Sequence, residues 1–573
     1  MERIIRLLQN PNLEQHKQSE LHEERTEMKA CENNNISEHI IQDSANQFDA
    51  IAPDAEVTEI LGTSMSMPIN RTAEEETVEM ESSMSQPSGS AVRRNEAQPW
   101  NHAMAIIDRT SAPLSPGYGT NALNRTSFPK GFIFGAASSA YQVHGMKVVR
   151  AQVTGIHLFT DFLACNVGIT EKIADRSTGD EAIDSYHRYK IIRPSNISIR
   201  LTSKQNDFRD YAELCFQRFG DRVKRWITLN EPWTFAVTGY DDGSCAPSRC
   251  SDWRQNNCTG GDSGLEPYIV THNQILAHAA AVDVYKKKYQ ATQNGLIGIT
   301  LVTKWMVAAS NSSIDRRAAQ RAQDFFLGWY MDPLTTGDYC RTMRSLVGNR
   351  LPKFTAEQAK LIKGSMDFLG LNYYTAQFAV DKPSSNGVNQ SYTTDSRATL
   401  LINCNESLCQ ASLMGCQLVK SCGLISKPHT LPSIEHQAGS NWLYVYPKGV
   451  RLLLHYIRKK YNNPIIYITE NGIDEVSNST LPLHDALTDN FRVMYYRRHL
   501  SYIQRTIKEG VDVRGFFAWS IFDNFEWNSG YTSRFGVNYV DFKDGLKRYP
   551  KLSAQWFKAY NGAKARRAKS RKQ

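Results

Sequence analysis

From Phe128 onward, short apolar runs alternate with stretches whose apolar residues recur every three to four positions. The runs read as buried strands at Phe132–Ala136, Trp226–Leu229, Ile297–Val302, Asp367–Leu371, Ile465–Thr469 and Gly515–Trp519. Between them lie amphipathic helices at Asp207–Phe219, Tyr268–Tyr289, Gly449–Lys460 and Asp489–Glu509. The first puts Phe208, Tyr211, Cys215 and Phe219 on one face. Strands that alternate with helices predict an α/β fold with a parallel sheet. Residues 1–127 show no sustained period of 2 or 3.6 and are rich in Glu, Asn, Ser and Met. That segment reads as disordered, or foreign to the domain at 128–560. No internal repeat is visible.

Charge sharpens this boundary. The chain of 573 residues carries 67 Lys/Arg and 58 Asp/Glu, a net +9. Residues 1–127 hold 10 basic and 20 acidic residues, a net of −10, which leaves +19 for the remainder. Six of those positive charges fall in Lys564–Gln573, so 561–573 reads as a solvated basic tail. No basic face with a recognisable module accompanies it, which argues against a nucleic-acid partner. No apolar run is long enough to span a membrane, and no secretory signal is visible at the start. The 11 cysteines are too few for a disulfide scaffold. Cys245, Cys250 and Cys258 lie together in what reads as a loop. Cys404, Cys409, Cys416 and Cys422 lack the spacing of a zinc site, so no metal is expected.

The informative residues stand at the strand ends. Asn230-Glu231 follows one strand, Asn372-Tyr373-Tyr374 another, Glu470-Asn471-Gly472 a third, and Ser520 with Asp523–Trp527 a fourth. A parallel barrel keeps its chemistry at the C-terminal ends of its strands. Glu231 and Glu470 in such positions could face each other across a cleft. Two facing carboxylates suit glycoside hydrolysis: one protonates the departing oxygen, and the other attacks the anomeric carbon or activates water. Taken without sequence kinship, each Glu reads more readily as a polar cap after a strand.

The wording of these segments adds kinship. Thr228-Leu229-Asn230-Glu231-Pro232 and Ile468-Thr469-Glu470-Asn471-Gly472 resemble the two catalytic signatures of glycoside hydrolase family 1, plant β-glucosidase type. Phe128–Gly135, running into Ser138–Gln142, resembles the family's N-terminal signature. Phe517–Trp527 resembles its sugar-binding strand and loop. The resemblance implies a (β/α)8 TIM barrel and a retaining β-glycosidase that acts on small β-glucosides without metal or cofactor. It implies Glu231 as acid/base and Glu470 as nucleophile. Tyr374 would hydrogen-bond the nucleophile and Asn230 would meet the sugar 2-hydroxyl. Gln142, Glu526 and Trp527 would grip the far hydroxyls, Trp519 would floor the ring, and Asn372 and Phe535 would complete the substrate site. It also implies a Cys250–Cys258 loop disulfide, with Cys245 left over. The family's plant members are secreted or vacuolar. Aglycone, glycone preference and oligomeric state stay open.

Three departures qualify that picture. His144-Gly145 stands where the family has Glu-Gly, and Met146–Gly168 lacks the expected polar, Gly-rich character. Only residues 191–206 lie where the family carries its second and third barrel strands, with a His-Trp or His-Tyr step and a supporting Arg. Six strands leave a barrel two open edges. The expectation is therefore an incomplete barrel, with an inactive sugar-binding relative or a non-folding truncated product as the alternatives to an enzyme. Leu401–His436 is a Cys-rich insertion in place of a short loop. Lost exons and read-through introns would account for the foreign head, the loss at 191–206 and the insertion.

Overall fold

The computed structural model describes residues 123–139, 142, 174–175, 205–258, 260–383, 387–401 and 435–570, together with a short strand at Thr58–Ile60. All belong to one compact unit, Asp54–Gln573. The Cys-rich insertion and most of 143–204 lie outside the described residues.

One eight-stranded sheet organises the unit. In chain order its strands are β1 (Thr58–Ile60), β2 (Ile133–Ala137), β3 (Arg225–Asn230), β4 (Leu296–Ala308), β5 (Phe368–Asp381), β6 (Ala398–Leu401), β7 (Ile466–Asn471) and β8 (Val513–Trp519). Their spatial order is β1-β3-β4-β5-β7-β8-β2, with β6 antiparallel on the far part of β5. Every other pairing is parallel. The six expected strands are therefore present and adjacent. Between β2 and β3, where a closed barrel would need two more strands, the described residues supply none. The barrel is incomplete, as the short interval at 191–206 requires. Among the described residues, the free side of β3 is met by β1, Thr58 against Arg225 through Ile60 against Ile227.

Strand lengths differ from the sequence reading in an informative way. β4 and β5 run well past the predicted ends at Val302 and Leu371. Beyond a register shift at Thr303/Lys304 they continue pairing, Lys304 against Thr375 through Ala308 against Ala379. Asn372 and Tyr374 consequently sit within a strand rather than after one. Glu470 likewise lies inside β7.

Helices pack on this sheet where their apolar faces demand it. Helix α1 (Gln205–Phe219) packs on α3 (Glu266–Val284), which continues into a π-turn at Tyr285–Tyr289. Phe216 joins them to the sheet, its ring 5.0 Å from Trp226 and 4.8 Å from Tyr285. Between them comes α2 (Pro232–Tyr240), which the periodicity did not reveal because nearly all its residues are apolar and buried. Pro232 starts it at the first helical position, where a missing N–H costs nothing. Helix α4 (Ser313–Gln323) begins at Ser312, whose hydroxyl accepts from Asp315 N. On the other side α5 (Pro447–Lys460) packs against α6 (Asn490–Lys508), and α6 against α7 (Leu552–Ser570). The last helix runs on into the basic tail.

Cys250 and Cys258 are bonded to each other. Cys245 stays a buried thiol outside the bridge. Gly243 adjoins the bridge with φ +66°, and a Cβ there would run into Cys258 Sγ. The short loop closed by the bridge leads to an expected cost of about 2 kcal/mol for Cys258→Ser, read as a lower denaturant midpoint at unchanged slope.

Candidate active site

Glu231 leaves β3 in a left-handed conformation, φ 50° and ψ 49°, at the start of α2. A non-glycine residue in that region costs free energy, and such strain concentrates at functional sites. Here the strain is held by neighbours: Glu231 N donates to Thr300 O at 3.0 Å, and Thr234 N donates back to Glu231 O at 3.0 Å. The consequence is a carboxyl group turned inward with Thr234 Oγ1 donating to Oε2 at 3.0 Å.

Glu470 projects from β7. Tyr374 Oη donates to its Oε2 at 2.6 Å, and Asn230 Nδ2 donates to its Oε1 at 3.3 Å. Gly472, two residues on, has no room for a side chain, since a Cβ would meet the Trp519 carbonyl. The Glu-Asn-Gly wording thus has a packing reason.

Two asparagines join the carboxylates. Asn372 Nδ2 donates to Glu231 Oε1 at 2.9 Å and to Asn230 Oδ1 at 3.0 Å. Asn372 Oδ1 accepts from Thr469 Oγ1 at 2.8 Å, which fixes the amide's orientation. Residues from β3, β5 and β7 are thereby locked into one hydrogen-bonded set, and all are buried.

The surroundings act strongly on the acid at the end of β3. Burial pushes the Glu231 carboxyl well above the usual range, and the Glu470 charge pushes it further, against the hydrogen bonds from Asn372 and Thr234. Glu470 receives two donors of its own, one of them a short phenol contact. Burial also pushes the Tyr374 hydroxyl well above its usual value, and the Glu470 carboxylate adds to this, so the phenol stays protonated as a donor.

A second group of the expected residues lies along β8 and the loop after it. Trp519 ends β8 beside Asn471, since Ala518 pairs with that residue. Gln142 Nε2 donates to Asn524 Oδ1 at 3.1 Å and to Glu526 Oε2 at 3.4 Å. Its Oε1 is buried and has no partner among the described residues. A buried acceptor left open at the end of a strand sheet suits a ligand hydroxyl. Glu526 is electrostatically linked to the first group, since its carboxylate raises both Glu231 and Tyr374. Trp527 follows it, buried, with φ 45°. Phe535 and Trp442 flank Tyr374 edge-on at 6.0 and 5.9 Å between ring centroids.

All ten expected active-site residues are therefore buried within the strand-end region. Sequence reading missed Thr234, Trp442 and Asn524 as participants. Asn524 stood inside the Phe517–Trp527 wording already noted, whereas Thr234 had no signal before its helix was known.

The loop holding the second group rests on a buried ionic cluster. Asp523 Oδ1 accepts from Lys551 Nζ at 3.0 Å and Gly536 N at 2.9 Å, and its Oδ2 accepts from Arg534 Nη1 at 2.7 Å. Burial would raise this carboxyl, but Lys551, Arg534 and Arg492 together hold it below the usual value. Among the described residues no group of three or more His, Cys, Asp or Glu is placed to hold a metal ion. No helix among them is long and apolar enough to cross a membrane.

Comparison with known proteins identifies the family. The family model described as glycosyl hydrolase family 1 matches residues 124–192 and 201–565. Its one interruption falls inside the interval where the second and third strands are missing. Beta-glucosidase 12 of Oryza sativa subsp. japonica is 47% identical over 510 residues, which span 78% of this chain and 94% of the relative. Furcatin hydrolase of Viburnum furcatum is 43% identical over 536 residues, 81% of this chain and 92% of the relative. Among solved structures, the rice Os3BGlu6 β-glucosidase superposes with a TM-score of 0.68 at 39% identity, covering 77% of this chain and all of that one. A family 1 β-glucosidase of the fungus Humicola insolens, solved with glucose, gives 0.65 at 32% identity, over 76% and 98% of the two chains. The chain belongs to glycosyl hydrolase family 1, with the plant β-glucosidase pattern and an incomplete barrel.

Proposed function

We propose that the protein hydrolyses terminal β-D-glucosides by double displacement, with Glu470 as nucleophile and Glu231 as acid/base. The observation that carries this reading is the unequal setting of two linked, buried carboxyl groups. Glu231 is held toward its protonated form by burial and by the charge of Glu470. Glu470 accepts from Tyr374 Oη and Asn230 Nδ2, so both its oxygens act as acceptors, as a nucleophile's do.

In the first step Glu470 attacks the anomeric carbon while the Glu231 proton passes to the glycosidic oxygen. The bond to the leaving group breaks and a covalent glycosyl-enzyme forms. In the second step Glu231, now ionised, takes a proton from water, and that water's oxygen displaces Glu470. Two inversions return the β configuration. Asn230, whose amide lies beside Glu470, is placed for the 2-hydroxyl. Gln142 and Glu526 present a buried amide and carboxylate to vicinal hydroxyls, and the Trp519 indole offers a flat apolar face to the ring. The β-glucosidase names of the rice relatives support glucose as the glycone.

The pH dependence follows from the sign of the Glu231 shift. The acid must carry its proton, so kcat/KM falls as pH rises through the raised value of Glu231. Glu231→Gln is expected to abolish that limb. It should slow glucosides with poor leaving groups by roughly 10²–10⁴-fold, and spare far better those whose leaving group needs no protonation. Equal slowing of both substrates would remove Glu231 from the acid role.

A further inference from the structure

Lys304 is a buried cation that the proposed mechanism does not use. It stands on β4 four residues past Thr300, whose carbonyl holds the Glu231 backbone. The residue is only 5% exposed. Its Nζ donates to the neutral Gln377 Oε1 at 3.1 Å and lies 5.7 Å from the Phe326 ring centroid. Phe326 in turn packs 4.4 Å from the Trp233 ring, two residues beyond Glu231. Among the described residues, no carboxylate lies within ion-pair distance of this ammonium.

Such an arrangement is expensive. A buried charge without a counter-ion costs several kcal/mol, and an apolar residue of the same length would fill the space without that cost. Burial pushes the Lys304 ammonium down to about 7, with Glu231 the carboxylate acting in the opposite sense. Two of the three ammonium protons are left for another acceptor. The low-dielectric walls supplied by Phe326 and Trp233 would strengthen a charge pair formed there.

Position identifies what that acceptor belongs to. The residues for the far glycone hydroxyls lie after β2 and on the loop after β8, Trp519 ends β8, Glu470 lies on β7 and Asn230 ends β3. Glu231 delivers its proton to the oxygen between sugar and leaving group. Lys304 pairs with Thr375, one residue past Tyr374 toward the C-terminal ends of the strands, and lies on the β4 side away from β8, which we read as the leaving-group side of that oxygen. We propose that Lys304 selects β-glucosides whose aglycone carries an anionic group, of the aromatic carboxylate class. This rests on the assignment of Glu231 and the glycone residues made above.

The test uses S-linked glucosides that resist hydrolysis, so that binding is read without turnover. Affinities of 4-carboxyphenyl and 4-carbamoylphenyl 1-thio-β-D-glucoside are compared by calorimetry, at a pH below 7, for the full chain. The carboxylate should bind about tenfold or more tightly than its neutral isostere, and Lys304→Met should bring the ratio near one. Lys304→Gln, which keeps a polar head, should do the same and guards against a folding defect in the first variant. Equal affinities in the unaltered protein, a ratio unmoved by both variants, or no binding of either compound would overturn the proposal. Turnover of the O-linked carbamoylphenyl glucoside is measured separately. Its absence would count against the hydrolase reading, while the affinity ratio would still decide the role of Lys304.

Discussion

Glu470→Ala should abolish hydrolysis while leaving the fold intact. The expected fall in kcat is roughly four to six orders of magnitude, the scale seen when a nucleophile is deleted from a set that acts as a unit. The reason is structural as well as chemical. Glu470 is the acceptor on which Tyr374 Oη and Asn230 Nδ2 converge. Alanine leaves both donors in place around an empty space, so a small anion has somewhere to sit. Added azide should restore turnover of a substrate with an activated leaving group and give the α-glucosyl azide, because it attacks from the side Glu470 occupied. The same rescue of Glu231→Ala should give the β-azide, since there the covalent intermediate still forms. Azide products of the opposite configuration, or unchanged hydrolysis by Glu470→Ala, would exchange or dismiss these roles.

Arg492→Met should cost more stability than any surface change. Arg492 is completely buried on α6. Its Nη1 pairs with Asp489 Oδ2 at 2.6 Å and its Nη2 with Glu475 at 3.0 Å, and it also donates to the carbonyls of Ile473 and Arg534. Burial alone would lower the guanidinium's pKa, but the Glu475 and Asp489 carboxylates overcome it and hold it above the usual value. Removing the cation strands the Asp489 carboxylate, itself fully buried, with Ser553 as its remaining side-chain donor. Losses of about 3–5 kcal/mol are typical when one partner of such a pair is removed. Denaturant unfolding should show this as a lower midpoint. Activity should fall too, because Arg492 also bears on Asp523, which anchors the loop carrying Asn524 and Glu526. A change below about 1 kcal/mol would show that the cluster is solvated and not structural.

Much of this site was legible because its residues sit at strand ends, where a buried apolar run stops and polar residues begin. Asn230-Glu231 and Glu470-Asn471-Gly472 stand out for that reason. The missing strands were legible by length alone, since residues 191–206 cannot hold two strands with their crossover helices. What remained hidden was long-range register. That Asn372 bridges Glu231 and Asn230 depends on pairing across more than 140 residues, and no local pattern records it. The extension of β4 and β5 past the barrel rim was hidden for another reason. Polar Thr303-Lys304 on β4 and Asn372 with Thr375 on β5 interrupt the apolar runs, and past them the strands continue with Met306, Val307, Ala376, Phe378 and Ala379 buried and β6 paired to β5. Lys304 gave no signal either. A lysine near a strand end reads as solvated until its burial is seen.

The central claim is that Glu470 forms a covalent bond to the sugar within an incomplete barrel. The direct measurement is mass spectrometry of the intact chain, then of its peptides, after incubation with a 2-deoxy-2-fluoro-β-glucoside bearing an activated leaving group. Fluorine slows the second step more than the first, so the intermediate accumulates. One sugar per chain is expected, attached to the peptide containing Glu470, with loss of hydrolysis in proportion to labelling. A folded chain that takes up no label, or carries it on another residue, would contradict it.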